Sequence, residues 1–230
     1  MKTRSQKITW GLMTFLAVAI FGYATAFYLV IPFFSSSPIG WQIHPALQRT
    51  LSTHPVGTYF HIIPSMLAIL IGPFQFHRGI RTKHLKLHRW LGRIYLSGVL
   101  FGGLGGLYMA PFSFAGSASQ LGFGLLAAAW LFTGYMAYLD IRQGRVETHR
   151  EWMTRNYALT FAAVTLRIYT RTFFLMGMTL PDFHAVNAWL CWIPNLIFAE
   201  WLIHRTRARR GRPKEVTPVV TTAEGNPSQS

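Results

Sequence analysis

Six apolar blocks, separated by short polar segments, divide the chain: about 8–31, 57–76, 89–110, 119–139, 155–178 and 185–203. Each approaches the roughly 20 residues a helix needs to cross about 30 Å of hydrocarbon. The pattern therefore predicts an all-α polytopic transmembrane bundle of six spans. The first block follows a basic "MKTRSQK", but its apolar run exceeds the roughly 7–15 residues of a cleaved signal peptide. It reads as a retained first span.

Within the blocks the polar positions fall on stripes. Polar residues in a span are costly and turn toward the bundle interior. On the second helix His61, Ser65, Ala68, Gly72 and Gln75 lie within about 40° of one line. On the third, His88, Gly92, Tyr95, Gly102 and Gly106 share a face. On the fifth, the shared face carries His149, Met153, Asn156, Thr160, Ala163, Arg167 and Arg171. On the sixth it carries His184, Asn187, Cys191 and Asn195. The first and fourth have no comparable stripe, so helices two, three, five and six are expected to form the working bundle, with one and four packed outside. No pair of broken helices stands out.

Charge then sets orientation. Of 230 residues 13% are charged and 51% apolar, yet the formal net charge is +15. Lys2, Arg4 and Lys7 precede the first block; Arg78, Arg81, Lys83 and Lys86 follow the second. Arg142, Arg145 and Arg150 follow the fourth, and Arg205, Arg207, Arg209, Arg210, Arg212 and Lys214 close the last. The alternate loops hold almost no positive charge. Six alternating spans put every basic segment on one side, which predicts both termini in the cytoplasm. Basic residues beside membrane blocks exclude a nucleic-acid partner and leave the lipid bilayer as the principal one. Residues 1–212 are assigned to the membrane domain and 213–230 to a disordered cytoplasmic tail.

The candidate chemistry rests on histidine and arginine. The single cysteine, Cys191, excludes an internal disulfide and any cysteine-built metal site. Few carboxylates back the histidines, which disfavours zinc. His44, His54, His77 and His84 read as loop or interfacial residues. His88 and His149 head two interior stripes at one depth; His61 and His184 lie at the opposite depth. A pair of imidazoles on different helices, small residues for close approach and cations for propionates suit haem b. His88 with His149, beside Gly92, is the expected inner haem-iron pair. His61 with His184, near Arg167 and Arg171, is the expected outer one. Electron transfer across the membrane to a redox partner or quinone is the function this implies. Arg167 is the strongest single signal. It sits about 18 Å into its span, by about 1.5 Å per residue, with no acidic residue at that depth. It calls for an anionic partner, and so supports an alternative reading as a small transporter or channel. A membrane scaffold or assembly factor is the third reading. The Gly98, Gly102, Gly106 run predicts close helix packing.

The segments "GPFQF", "R-x-x-H-x-x-x-H-R-W-L-G-R-I-Y" (Arg81 to Tyr95) and "H-R-E-W-M-x-R-x-Y-A-L-T" (His149 to Thr160) resemble a family of bacterial predicted membrane proteins. That family is known as domain of unknown function 2306. The likeness runs from about 57 to 203 and implies a multi-pass protein of the bacterial cytoplasmic (inner) membrane, with no activity to carry over. "HRWLG", beginning at His88, is also similar to the opening of a helix in membrane b-type cytochromes.

Overall fold

A computed structural model describes residues 4–30, 49 and 52–210. His44 and the tail assigned to 213–230 lie outside them. The described residues form helices and no strand. In chain order these are α1 (Arg4–Ala24, continued by a π turn, Thr25–Val30), α2 (Pro55–Phe76), α3 (Arg78–Lys83) and α4 (Leu85–Met109). After a 3₁₀ turn, Ala110–Phe112, come α5 (Gly116–Arg142), α6 (Val146–Thr160), α7 (Ala162–Leu175), α8 (Leu180–Leu190) and α9 (Ile193–Arg210).

The helix limits follow from local chemistry. Pro55 opens α2 at a position where its missing N–H costs nothing. Gly144, at φ 74°, ends α5 with a left-handed residue that a side chain would strain. Thr179 and Asp182 cap α8: the Asp182 carboxylate accepts from the Thr179 N–H (3.0 Å) and hydroxyl (2.5 Å).

Among the described residues, five stretches are long and apolar enough to cross a membrane: Lys7–Leu29, Pro55–Phe76, Leu85–Phe112, Gly116–Arg142 and Leu180–Ala208. The expected span at 155–178 is not one continuous helix. It divides at Phe161 into α6 and α7, each too short to cross alone by length. The last stretch also carries a turn, at Cys191–Trp192, between α8 and α9. The structure thus has a pair of interrupted helices where none was expected. Pro194 explains the second, because it has no N–H to offer the Leu190 carbonyl. At the first, Asn195 inserts its amide onto the Ala158 carbonyl at 3.2 Å, and an inserted side chain is a recognised cause of such a break. The two interruptions also bond to each other. Thr165 Oγ1 donates to the Cys191 carbonyl at 2.5 Å, and Asn195 Nδ2 lies 3.1 Å from Thr165 Oγ1.

α2 and α4 pack antiparallel at close range through the glycine run. A Cβ on Gly98 would lie 2.7 Å from the Pro64 carbonyl oxygen, and one on Gly105 2.7 Å from the His61 nitrogen. Only glycine permits that approach. α1 is peripheral, leaning on α2, where Trp10 Nε1 donates to the Pro73 carbonyl at 2.9 Å. The expectation that the 119–139 block also packs outside is overturned. α5 lies against α4, α6 and α8 and buries Trp130, Thr133, Gly134 and Ala137. Its small residues let neighbours close in without a polar stripe, which is why the pattern hid its central position. One end of the bundle collects α3, the start of α4, the end of α5 and the start of α6. Its basic residues include Arg78, Lys83, Arg142 and Arg145; it is called the basic end below.

Candidate functional site

The inward stripes meet in a polar column that runs from the basic end to a cavity in the other half of the bundle. At the basic end, His149 on α6 donates from Nδ1 to the Ala137 carbonyl of α5 at 2.8 Å. A carbonyl can only accept, so Nδ1 carries the proton and Nε2 is left as the acceptor. His88 on α4 lies at the same end of the bundle. Its Nδ1 is buried with no hydrogen-bond partner. One turn along α4, Gly92 is the point where α2 comes near, and a Cβ there would meet Gln75 Oε1 at 3.4 Å.

The middle of the column is a closed network of three helices. Tyr95 (α4) donates its hydroxyl to Asn156 Oδ1 (α6) at 2.6 Å and lies 2.9 Å from Thr160 Oγ1. Asn156 Nδ2 donates to the Trp130 carbonyl (2.7 Å) and to Thr133 Oγ1 (2.9 Å), both on α5. Trp130 Nε1 donates to Thr160 Oγ1 at 2.8 Å. Tyr95 and Asn156 are wholly buried. Sequence periodicity finds Tyr95, Asn156 and Thr160, but it misses Trp130 and Thr133. The missed signal was a tryptophan and a threonine three apart in the apolar run 121–134.

Beyond Thr160 and Trp130 the column opens into a cavity of about 220 Å³. Its polar lining comprises His61, Ser65, Ser113, Thr160, Arg167 and Cys191; much of the rest is apolar. His61 Nδ1 donates to the Gly102 carbonyl at 2.7 Å, which fixes the ring against α4. Arg167 is half-buried. Its Nη1 donates to the Ala163 carbonyl at 2.9 Å, and its guanidinium stands 5.8 Å from the Tyr23 ring centroid. Among the described residues no carboxylate reaches it. The five described acidic residues are engaged elsewhere: Asp140 with Arg145, Glu147 with Arg150, Glu151 with Arg207, Glu200 with Arg155, and Asp182 at its cap. Both helix interruptions border this cavity, through Thr160, Ala162 and Cys191.

The predicted residues therefore separate. His61 and Arg167 come together at the cavity. His184 does not line it and instead stacks on Phe114, with ring centroids 4.2 Å apart. Arg171 is exposed. His54, expected to be solvated, stacks on Phe112 at 3.8 Å. Among the described residues no three His, Cys, Asp or Glu side chains converge as a metal-ion site.

Long apolar helices around a polar, glycine-packed interior define a multi-pass α-helical membrane protein. More particularly, the chain belongs to the family described as predicted membrane protein (DUF2306), whose model matches residues 58–203. That match spans every residue that lines the cavity. Comparison with curated proteins and with solved structures gives no match.

Proposed function

We propose that the protein is a small transporter or channel that takes a small anion into the cavity at Arg167. In this reading it crosses the membrane six times, α6 with α7 and α8 with α9 each completing one crossing, and both termini face the cytoplasm. The observation that carries the proposal is Arg167 itself: a guanidinium facing a cavity, with every described carboxylate committed elsewhere. An arginine at mid-depth costs about 2.5–3.5 kcal/mol on insertion scales, so it is retained where an anion offsets that cost. The cavity, at about 220 Å³, is smaller than the roughly 300–1,000 Å³ of sites for drug-sized ligands. That size suits a small carboxylate or oxyanion. Interrupted helices beside a substrate site are a recurring transporter feature. His61 and Ser65 also line the cavity, but their protons already go to the Gly102 and His61 carbonyls, so the anion's hydrogen bonds would come from Arg167.

The test is thermal unfolding of the purified protein in detergent with acetate, lactate, phosphate or sulfate, followed by uptake of the stabilising anion into proteoliposomes. At least one anion is expected to stabilise the wild type. Arg167→Leu should weaken its binding about 10- to 100-fold, the range for losing a hydrogen bond to a charged group. If no anion stabilises the wild type, or if Arg167→Leu binds equally well, the reading fails.

Haem b at His88 and His149 is a second reading, favoured by one arrangement. The His149 Nδ1–H is tied to the Ala137 carbonyl, the backbone hydrogen bond that orients many iron-ligating histidines. The His88 Nδ1 is buried and unpartnered. Bound there, the group would supply a one-electron redox centre for a quinone or redox partner. Protein purified after growth with a haem precursor would then show a Soret band that His88→Ala removes. A colourless, folded protein would end this reading. The outer pair, His61 with His184, has less support, because the two do not share the cavity.

A further inference from the structure

We propose that the outward face of α4 holds an anionic phospholipid at the basic end of the bundle. This patch shares no residue with the cavity or with the His88–His149 pair. Lys86, Arg89, Trp90 and Arg93 line one concave patch on this helix. All four are exposed, and Trp90 keeps 61% of its surface free. They point away from the inward stripe of His88, Gly92 and Tyr95. Arg93 stacks over Trp90, its guanidinium carbon 4.9 Å from the ring centroid. That contact holds the cation at the helix surface instead of letting it extend into water.

Charge accounting separates this patch from four of the other cations at the same end. Arg145, Arg150, Arg155 and Arg207 each pair with a carboxylate of the chain. None of Lys86, Arg89 and Arg93 takes part in an ion pair among the described residues. The same face then turns apolar along the helix. Leu100 and Leu104, two and three turns beyond Arg93, lie within about 40° of the line through Lys86 and Arg93 at 100° per residue. They are 49% and 46% exposed. Three cations and a tryptophan followed by an exposed apolar stripe match an amphiphile with its phosphate at the patch and an acyl chain along α4. A free phosphate would use the cations and leave the stripe without a role.

The experiment is native mass spectrometry of the full chain released from detergent doped with phosphatidylglycerol or phosphatidylcholine. Thermal unfolding is run in parallel with the same lipids and with inorganic phosphate. Wild type is expected to retain phosphatidylglycerol preferentially and to be stabilised by it, with no comparable effect of phosphate. The variant K86Q/R89Q/R93Q should lose retention roughly a hundredfold, from the worth of about three surface cations facing an anionic lipid. R78Q/K83Q/R142Q, which removes as much charge elsewhere at the same end, should retain the lipid. Equal retention of the two lipids by wild type, or equal loss in both variants, overturns the site and leaves only general attraction. Stabilisation by phosphate equal to that by phosphatidylglycerol overturns the lipid assignment. If the triple variant does not fold, Arg93→Gln and Trp90→Leu carry the test singly, and unchanged retention in both overturns the proposal.

Discussion

At the residue scale, two kinds of position carry the molecule: glycines that bring α2 and α4 together, and polar side chains that must find partners where water is scarce. Gly98 sits so close to the Pro64 carbonyl that Gly98→Val forces the helices apart. Overpacking of a core typically costs about 1–3 kcal/mol, so this variant should unfold at lower temperature in detergent. Gly11, with open space around its Cβ position, should tolerate valine; equal effects at both positions would count against tight packing. Arg167 belongs to the second kind. Its stripe was readable from the spacing of His149, Asn156 and Thr160, because helical periodicity puts these on one face whatever surrounds them. Its isolation from carboxylates was not readable in full, because Glu200 and Glu151 are committed by α9 folding back along α6, with Glu200 accepting from Arg155 Nε at 2.5 Å.

At the element scale, the interruptions at Phe161 and Cys191–Trp192 are the unusual feature. Apolar composition reads through them, since hydropathy does not register a lost backbone hydrogen bond. Pro194 was a visible warning for the second; the first depends on Asn195 arriving from another helix. Asn195 and Thr165 join the two turns, so their effects should not be additive. A double-mutant cycle of Asn195→Ala and Thr165→Ala, read by thermal unfolding, is expected to give a coupling of about 0.6–1.7 kcal/mol, the range for hydrogen bonds between membrane helices. Zero coupling would mean that the breaks are independent. The buried network of Tyr95, Asn156, Thr160 and Trp130 predicts a larger local effect. Asn156→Leu removes the bond from the Tyr95 hydroxyl and both bonds from Nδ2 to α5, leaving Tyr95 with Thr160 Oγ1, at about 0.5–1.5 kcal/mol for each bond lost. It should lower the unfolding midpoint more than Asn195→Ala does.

For the whole molecule, the prediction concerns topology. The proposed six crossings require reporter fusions at 114 and 182 to report the outer side, and fusions at 82, 146 and 215 the cytoplasm. A fusion at 182 reporting the cytoplasm would show that α6 and α7 do not together complete a crossing. The outcome matters for function, because the cavity lies in the half of the bundle away from the basic end. It would then open toward the outer side, with the Tyr95–Asn156–Thr160 network closing it from the cytoplasm.

The linear pattern alone determined the all-helical membrane class, the inward stripes of α2, α4, α6 and α8, and the close glycine packing. These follow from burial cost and helical period, which act within one element at a time. Tertiary structure decided what periodicity cannot carry: which stripes meet, which carboxylates are already spent, and where a side chain from one helix breaks the ladder of another. α5 shows the difference most plainly. Its small residues gave no polar stripe to read, yet they are what allow it to sit centrally and deliver Trp130 and Thr133 to the network. His61 and His184 show the converse: matched in depth along the sequence, they take different partners, the His184 ring stacking on Phe114 and His61 Nδ1 donating to the Gly102 carbonyl.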